Sequence, residues 1–177
     1  MIQLLILVAF LVLVVGVFLF YLGMLLSIRY EAPFVPSSQK ATKVMLEAAK
    51  IMPGEIVYDL GSGDGRLVRG AARGGAKATG VERSRLLVFF SGLIGAITRT
   101  PKHTFLRASF YDVDISNADV VFTYLFPNVM AKLKVKFEKE LRPGARVVSY
   151  AFKVPGWTAK ERIEFSPKRP AVYVYVR

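Results

Sequence analysis

The sequence predicts an α/β fold: a mostly parallel sheet flanked by helices, with antiparallel pairing at the final strand. Strand-like apolar runs alternate with helix-like runs over 56–152, which is the pattern of parallel strands joined by crossover helices. Two further strand-like runs, 160–165 and 171–176, are separated by a turn that contains Pro167 and Pro170, which predicts an antiparallel pair. A long run without charged residues precedes this domain.

The chain of 177 residues is predicted to divide into an apolar segment, 1–29, and one domain over 30–177. The uncharged run begins at Leu4 and ends at Leu26. As a helix it is roughly 34 Å long, enough to cross a hydrocarbon core of about 30 Å. The first three residues carry no basic side chain of the kind that a cleaved signal peptide has. We therefore expect one uncleaved transmembrane helix.

The distribution of charge predicts on which side of the membrane the domain lies and which partners it can bind. Arg29, Lys40 and Lys43 follow the apolar run, so the positive-inside rule predicts a cytoplasmic domain. The net charge of +12 permits nucleic acid, an acidic protein or an anionic membrane as partner. A tethered domain meets lipid head groups continuously, so we expect lipid contact and no nucleic-acid partner. The chain has no cysteine and one histidine, and we expect no metal site.

Local patterns predict the elements of the domain in order. A connector over 32–38 contains two prolines that block a helix, and Ser37 or Ser38 is placed to cap the helix that follows. That helix is predicted to end at Pro53 and Gly54. The remaining helices are predicted at 67–73, 83–99 and 129–141, and the strands at 56–60, 77–82, 103–109, 119–124 and 145–152.

A glycine-rich turn follows the first predicted strand. Its pattern is Asp59-x-Gly61-x-Gly63-x-Gly65, in which each glycine can adopt positive φ or let a ligand touch the main chain. A dinucleotide fingerprint needs a glycine where Arg66 stands, so the turn does not fit that class. With an acid two residues before the first glycine, the turn resembles motif I of the class I methyltransferases that use S-adenosylmethionine. A tight structural turn is the alternative.

A second acid supports the ligand-binding interpretation of this turn. Glu82 ends the next predicted strand 23 residues after Asp59, where an acid in a βαβ unit reaches the ribose hydroxyls of a nucleoside. An isolated loop acid is more often a solvated charge. At this distance from this turn, we interpret Glu82 as a ribose ligand.

A resemblance to one family rests on five segments, which are 33–37, 57–66, 112–116, 141–149 and 156–157. Together they look like the small seven-β-strand protein lysine methyltransferases. Motif I is shared by all class I methyltransferases, whereas the Pro-Phe-Val-Pro-Ser opening and the Gly-Trp pair are more particular. The resemblance covers roughly 32–177 and implies a Rossmann-like class I methyltransferase sheet. The group includes archaeal enzymes and membrane-anchored mitochondrial enzymes, which implies an organellar inner membrane for a eukaryotic chain.

The resemblance also implies the cofactor, S-adenosylmethionine, and the residues that bind it. The acid and glycines of the turn should hold its methionine end, Glu82 the ribose, and Ser109 with Phe110 the adenine. Many relatives have Asp or Asn where Ser109 stands, so this bond is the weakest part of the set. The segment 34–37 should fold over the cofactor. The full set is Phe34, Ser37, Asp59, Gly61, Ser62, Gly63, Glu82, Ser109 and Phe110.

Residues just past the fourth predicted strand are the candidates for the methyl-acceptor site. The protein must align and desolvate a neutral amine, because a free lysine has a pKa of about 10.4. We expect Tyr124, Phe126 and Asn128 to surround the amine, since aromatic faces attract an alkylammonium group. The alternative is that Tyr124 and Phe126 are core residues. We expect His103 to be an ordinary surface or edge residue rather than a base.

Three functions stay open at this point. The first is a membrane-anchored protein lysine methyltransferase that acts on membrane-associated proteins. The second is a lipid or quinone methyltransferase, because an anchor serves a bilayer substrate equally well. The third is a non-catalytic module that binds S-adenosylmethionine and recruits partners, although the turn and Glu82 are both intact.

The predicted helix 83–99 departs from the charged, amphipathic helix that the family has at this place. Its apolar run begins at Leu86 and ends at Ile97 without a charged residue. A helix that is apolar on every face must be buried or must contact something apolar outside the domain. We expect its outer face to rest in the membrane interface, with basic residues at both ends near head groups. A dimer interface is the alternative.

Overall fold

A computed structural model describes residues 2–27, 35–167 and 169–177, without the side chains of 19, 20 and 22–27. Contacts divide the chain into two units, Met1–Phe34 and Val35–Arg177. The predicted boundary between residues 29 and 30 lies outside the described residues and stays a prediction.

The first unit contains helix α1, Ile2–Ser27. Its described side chains over 2–18 are exposed and, apart from Gln3, apolar. Over the described residues, no helix is both long enough and apolar enough to cross a membrane. This finding contradicts the predicted transmembrane anchor and, with it, the single-pass placement that put the domain in the cytoplasm.

The second unit is an α/β domain built on one sheet. Its described strands are β1 (Ile56–Leu60), β2 (Lys77–Glu82), β3 (His103–Arg107), β4 (Val120–Thr123), β5 (Arg146–Tyr150), β6 (Glu161–Ile163) and β7 (Val172–Val176). Its described helices are α2 (Gln39–Ala49), α3 (Arg66–Arg73), α4 (Arg85–Ile97) and α5 (Pro127–Glu140). Helix α2 ends at Ala49, before the predicted end at Pro53 and Gly54, because Lys50 takes a left-handed conformation and caps the helix.

The sheet has the order β3-β2-β1-β4-β5-β7-β6. Strands β1 to β5 run parallel to one another, and β7 pairs antiparallel with β5 and β6. The predicted Rossmann-like sheet with an antiparallel final strand is therefore confirmed. In the register, Asp59 lies beside Gly80 on β2 and Phe122 on β4. The carboxyl ends of these three strands meet at the edge where open α/β sheets bind ligands.

One face of the sheet packs its main hydrophobic core against α2 and α3. Val57 and Phe122 are buried in this core, and Tyr124 packs against it. Because alternate residues of a strand point to the same face, Asp59 shares the face of Val57. The turn acid and Tyr124 therefore belong to the same side of the sheet.

The Gly-Trp pair has a structural role. Gly156 has φ 75°, and the indole N–H of Trp157 donates to a carboxylate oxygen of Glu138 at 3.1 Å. The Trp157 ring also lies 6.2 Å from Phe137 and 6.0 Å from Tyr175, measured between ring centroids. These contacts attach α5 to β7 across the segment that follows β5.

Helix α4 places its small residues inward and its large residues outward. Ser91 and Gly95 are buried, and Gly95 lies against the ring of His103, where a Cβ atom would clash with Nε2. The small residues allow α4 to approach β3 closely. The large apolar side chains with exposed surface are Leu86, Phe89, Phe90, Leu93, Ile94 and Ile97, which we name the α4 outer face. The expected contact of this face with a membrane stays a prediction.

Candidate functional site

The glycine turn lies at the carboxyl end of β1 and leads directly into α3. Gly61, Gly63 and Gly65 have φ values of 80°, 55° and 74°, which glycine adopts without steric cost. The N–H groups of Gly61 and Ser62 donate to the Val81 carbonyl at 2.8 and 3.1 Å. The turn is therefore fixed against the end of β2.

Glu82 accepts two main-chain hydrogen bonds at the end of β2. The Gly63 N–H donates to one carboxylate oxygen at 3.1 Å, and the Ser84 N–H donates to the other at 2.8 Å. Because Ser84 is the N-cap of α4, Glu82 joins the glycine turn to the start of that helix. The carboxylate lies at the carboxyl edge of the sheet, and its role toward a ribose stays a prediction.

Asp59 is the buried acid of the site, with 5% of its surface exposed. Burial, followed by the charges of Asp64 and Glu82, raises the pKa of its carboxyl group to about 8. Without a cationic ligand, this carboxyl group is protonated at neutral pH. A ligand ammonium group beside it stabilises the ionised form, and the methionine end of S-adenosylmethionine carries such a group.

The side chain of Ser62 is packed between the glycine turn and β2. Its hydroxyl is buried and has no hydrogen-bond partner among the described residues. The hydroxyl lies against Gly80 of β2, where an added Cβ atom would come within 2.6 Å of it, so the side chain faces the sheet. Asp59 is thus the acid that would hold the methionine end of the cofactor, and the role of Ser62 toward the cofactor stays a prediction.

Arg66 connects the turn to the segment that precedes α2. Its guanidinium pairs with the Asp64 carboxylate at 2.5 Å and donates to the Ser37 carbonyl. The Ser37 hydroxyl also shares a hydrogen bond with the Thr42 hydroxyl at 3.1 Å. The predicted cofactor residue Ser37 is therefore held near the turn, whereas Phe34 lies outside the described residues.

Ser109 and Phe110 lie in the turn that follows β3. This turn begins beside Glu82, whose carbonyl accepts a hydrogen bond from the Ala108 N–H at 3.2 Å. The Ser109 hydroxyl accepts a hydrogen bond from the Tyr111 N–H at 3.3 Å, and the Phe110 ring packs edge-on against Tyr111. Both predicted adenine residues are half-buried on the Glu82 side of the site. Their contact with an adenine stays a prediction.

Four aromatic rings meet at the carboxyl ends of β4 and β5. The Tyr124 ring centroid lies 4.8 Å from that of Tyr150 and 6.2 Å from that of Phe152. The Phe126 and Phe152 centroids are 5.5 Å apart. We name these four residues the aromatic cluster. Because β4 pairs directly with β1, the cluster lies next to the strand that carries Asp59.

Two further residues were considered from the sequence, and the role of Asn128 toward an acceptor stays a prediction. Asn128, a predicted acceptor residue, is exposed in the first turn of α5. His103 lies on the edge strand β3, and its Nδ1 atom is 2.8 Å from the Thr100 carbonyl oxygen. This position agrees with the expectation that His103 is an ordinary edge residue.

Ser91, Tyr150 and Phe152 were missed by the sequence analysis. The buried Ser91 hydroxyl on α4 donates to the Gly63 carbonyl at 2.9 Å, so α4 holds the glycine turn directly. A signal was present, because Ser91 is the one hydroxyl in the apolar run 86–97 and a buried hydroxyl needs a partner. Tyr150 and Phe152 were not identified because both fall within the predicted strand 145–152.

We predict that binding of S-adenosylmethionine releases the proton of Asp59. A carboxyl group with a pKa of about 8 must ionise when it pairs with a cation, so affinity rises with pH below that value. Between about pH 6 and pH 7, where the ligand amine stays protonated, binding should release about one proton and strengthen up to ten-fold. Calorimetry in two buffers of different ionisation enthalpy counts the protons. The same release in Asp59→Asn would contradict this role.

We predict that Ser91→Ala weakens S-adenosylmethionine binding by about two- to ten-fold, because the Gly63 carbonyl loses its hydrogen bond. The matched control is Thr98→Ala, which removes a hydroxyl bonded to the Ile94 carbonyl near the end of the same helix. Calorimetric titration gives the affinities, and thermal melting monitors the fold. Equal affinities for the two variants would refute a role of Ser91 in holding the turn.

The comparisons with known proteins agree with this site. A family profile described as the ANTKMT methyltransferase domain matches residues 59–161. A relative from Saccharolobus islandicus (strain REY15A), described as a protein-lysine N-methyltransferase, is 41% identical over 82% of this chain and 94% of its own length. A relative from Mus musculus, described as an adenine nucleotide translocase lysine N-methyltransferase, is 34% identical over 73% of this chain. This chain spans 57% of the Mus musculus protein.

A solved structure gives the same assignment of the fold and the cofactor. It is described as an RNA methyltransferase from Salinibacter ruber in complex with S-adenosylhomocysteine. The TM-score is 0.77 at 33% identity, over 80% of this chain and 93% of that chain. Together with the acid–glycine turn, these similarities show that the chain belongs to the ANTKMT methyltransferase family and is an S-adenosylmethionine-dependent methyltransferase.

Proposed function

We propose that this methyltransferase transfers methyl groups to lysine ε-amines of a protein substrate. The observation that carries the proposal is the aromatic cluster, which lies one strand away from Asp59. The names of the Saccharolobus islandicus and Mus musculus relatives, which both specify lysine, support this acceptor.

The acceptor chemistry follows from the character of these rings. S-adenosylmethionine, when bound, supplies a methyl group that its sulfonium has already activated. The faces of Tyr124 and Phe126 attract a lysine ammonium group and displace water from it. The attraction of the rings favours the charged form and brings it to the site, whereas desolvation acts in the opposite direction, lowers the lysine pKa from about 10.4 and favours the neutral amine that is the nucleophile. The cluster contains no carboxylate or imidazole, so the ammonium proton passes to water at its exposed side, where Phe126 lies.

RNA is a second candidate acceptor. The name of the Salinibacter ruber structure and the net charge of +12 both favour it. We rank it below lysine because the Saccharolobus islandicus relative is more similar to this chain and matches over 94% of its own length.

We predict that the purified full chain transfers label from methyl-tritiated S-adenosylmethionine to lysine. The acceptors offered separately are poly-L-lysine, a mixed protein extract, total RNA and a lipid extract. Label should appear in the two protein samples, and mass spectrometry after hydrolysis should identify methylated lysine. Glu82→Gln should abolish transfer, because it removes the carboxylate at the ribose position. Glu164→Gln is the control, since Glu164 lies on the surface in an ion pair with Arg162.

Each other result of this labelling experiment contradicts the proposal. Label in RNA alone would assign the enzyme to the second candidate. Label in lipid alone would assign it to lipid or quinone methylation. No label in any sample, with S-adenosylmethionine still bound, would identify a non-catalytic binding module.

We also propose that the α4 outer face contacts an anionic lipid surface. Phe89 is 65% exposed, and each of the other large apolar residues of this face is at least 38% exposed. Arg83, Arg85, Arg99 and Lys102 lie at its two ends, and residues 83–102 contain no acid. Two copies joined through α4 would bring these cations together, which is unfavourable, whereas anionic head groups complement them. The charge pattern therefore favours lipid over self-association.

A single cysteine tests this surface, because the chain has none of its own. A side chain added at Gly92 on α4 meets no atom within 4 Å. In Gly92→Cys, an attached NBD dye should show brighter, blue-shifted emission with vesicles of anionic phospholipid and little change with zwitterionic vesicles. The control is Val135→Cys. Val135 is apolar and, like Phe89 of the α4 outer face, 65% exposed, but it lies among the lysines of α5.

The control separates an apolar contact from simple charge attraction. Equal emission shifts at both positions would refute a specific role for α4. A shift in Gly92→Cys without vesicles, growing with protein concentration, would assign the face to self-association instead.

A further inference from the structure

The chain leaves β5 through a strained turn that ends at Phe152. Ala151 has φ 68°, in the left-handed region that a residue with a Cβ atom seldom adopts. The Phe152 N–H donates to the Tyr150 carbonyl at 2.8 Å, and this bond between residues two apart closes a γ-turn around Ala151. Strain of this kind persists only where the surroundings fix it, and it concentrates at functional sites.

Two further hydrogen bonds fix the γ-turn. The buried Ser149 hydroxyl donates to the Phe152 carbonyl at 2.5 Å. The Ala151 N–H donates to the Ala171 carbonyl at 3.0 Å, which ties the turn to the start of β7. Because a γ-turn reverses the chain, Phe152 returns toward β4 instead of extending past the edge of the sheet.

The returning ring contacts both aromatic residues that were predicted to surround the acceptor. The Phe152 ring is nearly parallel to the Tyr124 ring, with 18° between their planes. It meets the Phe126 ring at 52°. Phe152 is half-buried, so part of its surface is open to a ligand. This ring therefore joins Tyr124 and Phe126 into one partly open aromatic surface.

We propose that Phe152 determines acceptor specificity by completing the surface that binds the alkylammonium group of the target lysine. This inference rests on the proposed lysine methyltransferase function. The γ-turn holds the Phe152 ring in place before the acceptor binds, so the ring loses little conformational freedom on binding. An aromatic face attracts a lysine side chain and its methylated forms, whereas an aliphatic side chain of similar size does not.

The test uses the full chain with poly-L-lysine as acceptor. Phe152→Leu keeps an apolar side chain but removes the aromatic face, and the KM for poly-L-lysine should rise about ten-fold. The kcat and the S-adenosylmethionine Kd should stay within about two-fold of wild type, because the cofactor residues are untouched. Phe152→Tyr should restore the KM. The matched control is Phe165→Leu, whose ring lies 6.2 Å from Tyr150 at the β6 side, and its KM should equal that of wild type.

A second readout separates cation binding from packing. A peptide with trimethyl-lysine should inhibit wild type more strongly than its neutral tert-butyl isostere, and Phe152→Leu should abolish this preference. Ser149→Ala, which releases the turn and keeps every ring, should raise the KM by a smaller factor. If Phe152→Leu does not fold, the KM of Ser149→Ala tests whether Phe152 contributes to acceptor binding.

The outcomes distinguish this inference from the function on which it rests. If wild type methylates poly-L-lysine and Phe152→Leu has an unchanged KM, Phe152 has no such role while the lysine methyltransferase function stands. If the KM rises together with the cofactor Kd, the residue is structural and the inference is overturned. If wild type methylates no lysine, both are overturned.

Discussion

Three carboxyl groups meet at the carboxyl ends of β1 and β2, and the structure of the site depends on how their charges are balanced. Asp64 is paired with Arg66, and Glu82 accepts N–H groups from the turn and from α4. Asp59 is buried beside both, which raises its pKa to about 8. A cationic ligand relieves this repulsion, so the site favours a molecule with an ammonium group at that point.

The order of the strands converts this charged pocket into a two-sided site. Because β1 lies between β2 and β4, Glu82 is on one side of Asp59 and the aromatic cluster is on the other. The chain order reverses at this point of the sheet, which is where open α/β folds bind their ligands. Helix α4 holds the turn from the first side through Ser91, and the γ-turn after β5 holds Phe152 on the second. The glycine turn is thus supported by α4, and Tyr124 and Phe126 are supported by the turn after β5, each of which is distant in sequence from the residues that it supports.

The sequence was sufficient to predict those features that depend on residues close together in the chain. Strand and helix periodicity predicted the sheet, and the spacing of Asp59, the glycines and Glu82 placed the turn and the second acid at one edge of it. Their contacts with the cofactor stay predictions. The bond from Ser91 to Gly63 joins residues far apart in the chain, and the positive φ of Ala151 has no sequence signature. Apolar composition predicted a membrane-spanning helix that the described residues do not bear out. The uncharged run 86–97 also predicted an apolar outer face on this helix, and the large residues of α4 are exposed.

The most direct test of this account is a crystal structure of the full chain with S-adenosylhomocysteine and a short lysine peptide. The account predicts that the ligand amino group lies within hydrogen-bond distance of the Asp59 carboxylate. It also predicts that a lysine side chain lies against the rings of Tyr124 and Phe152. A lysine bound on another surface, or a cofactor amino group directed away from Asp59, would contradict it.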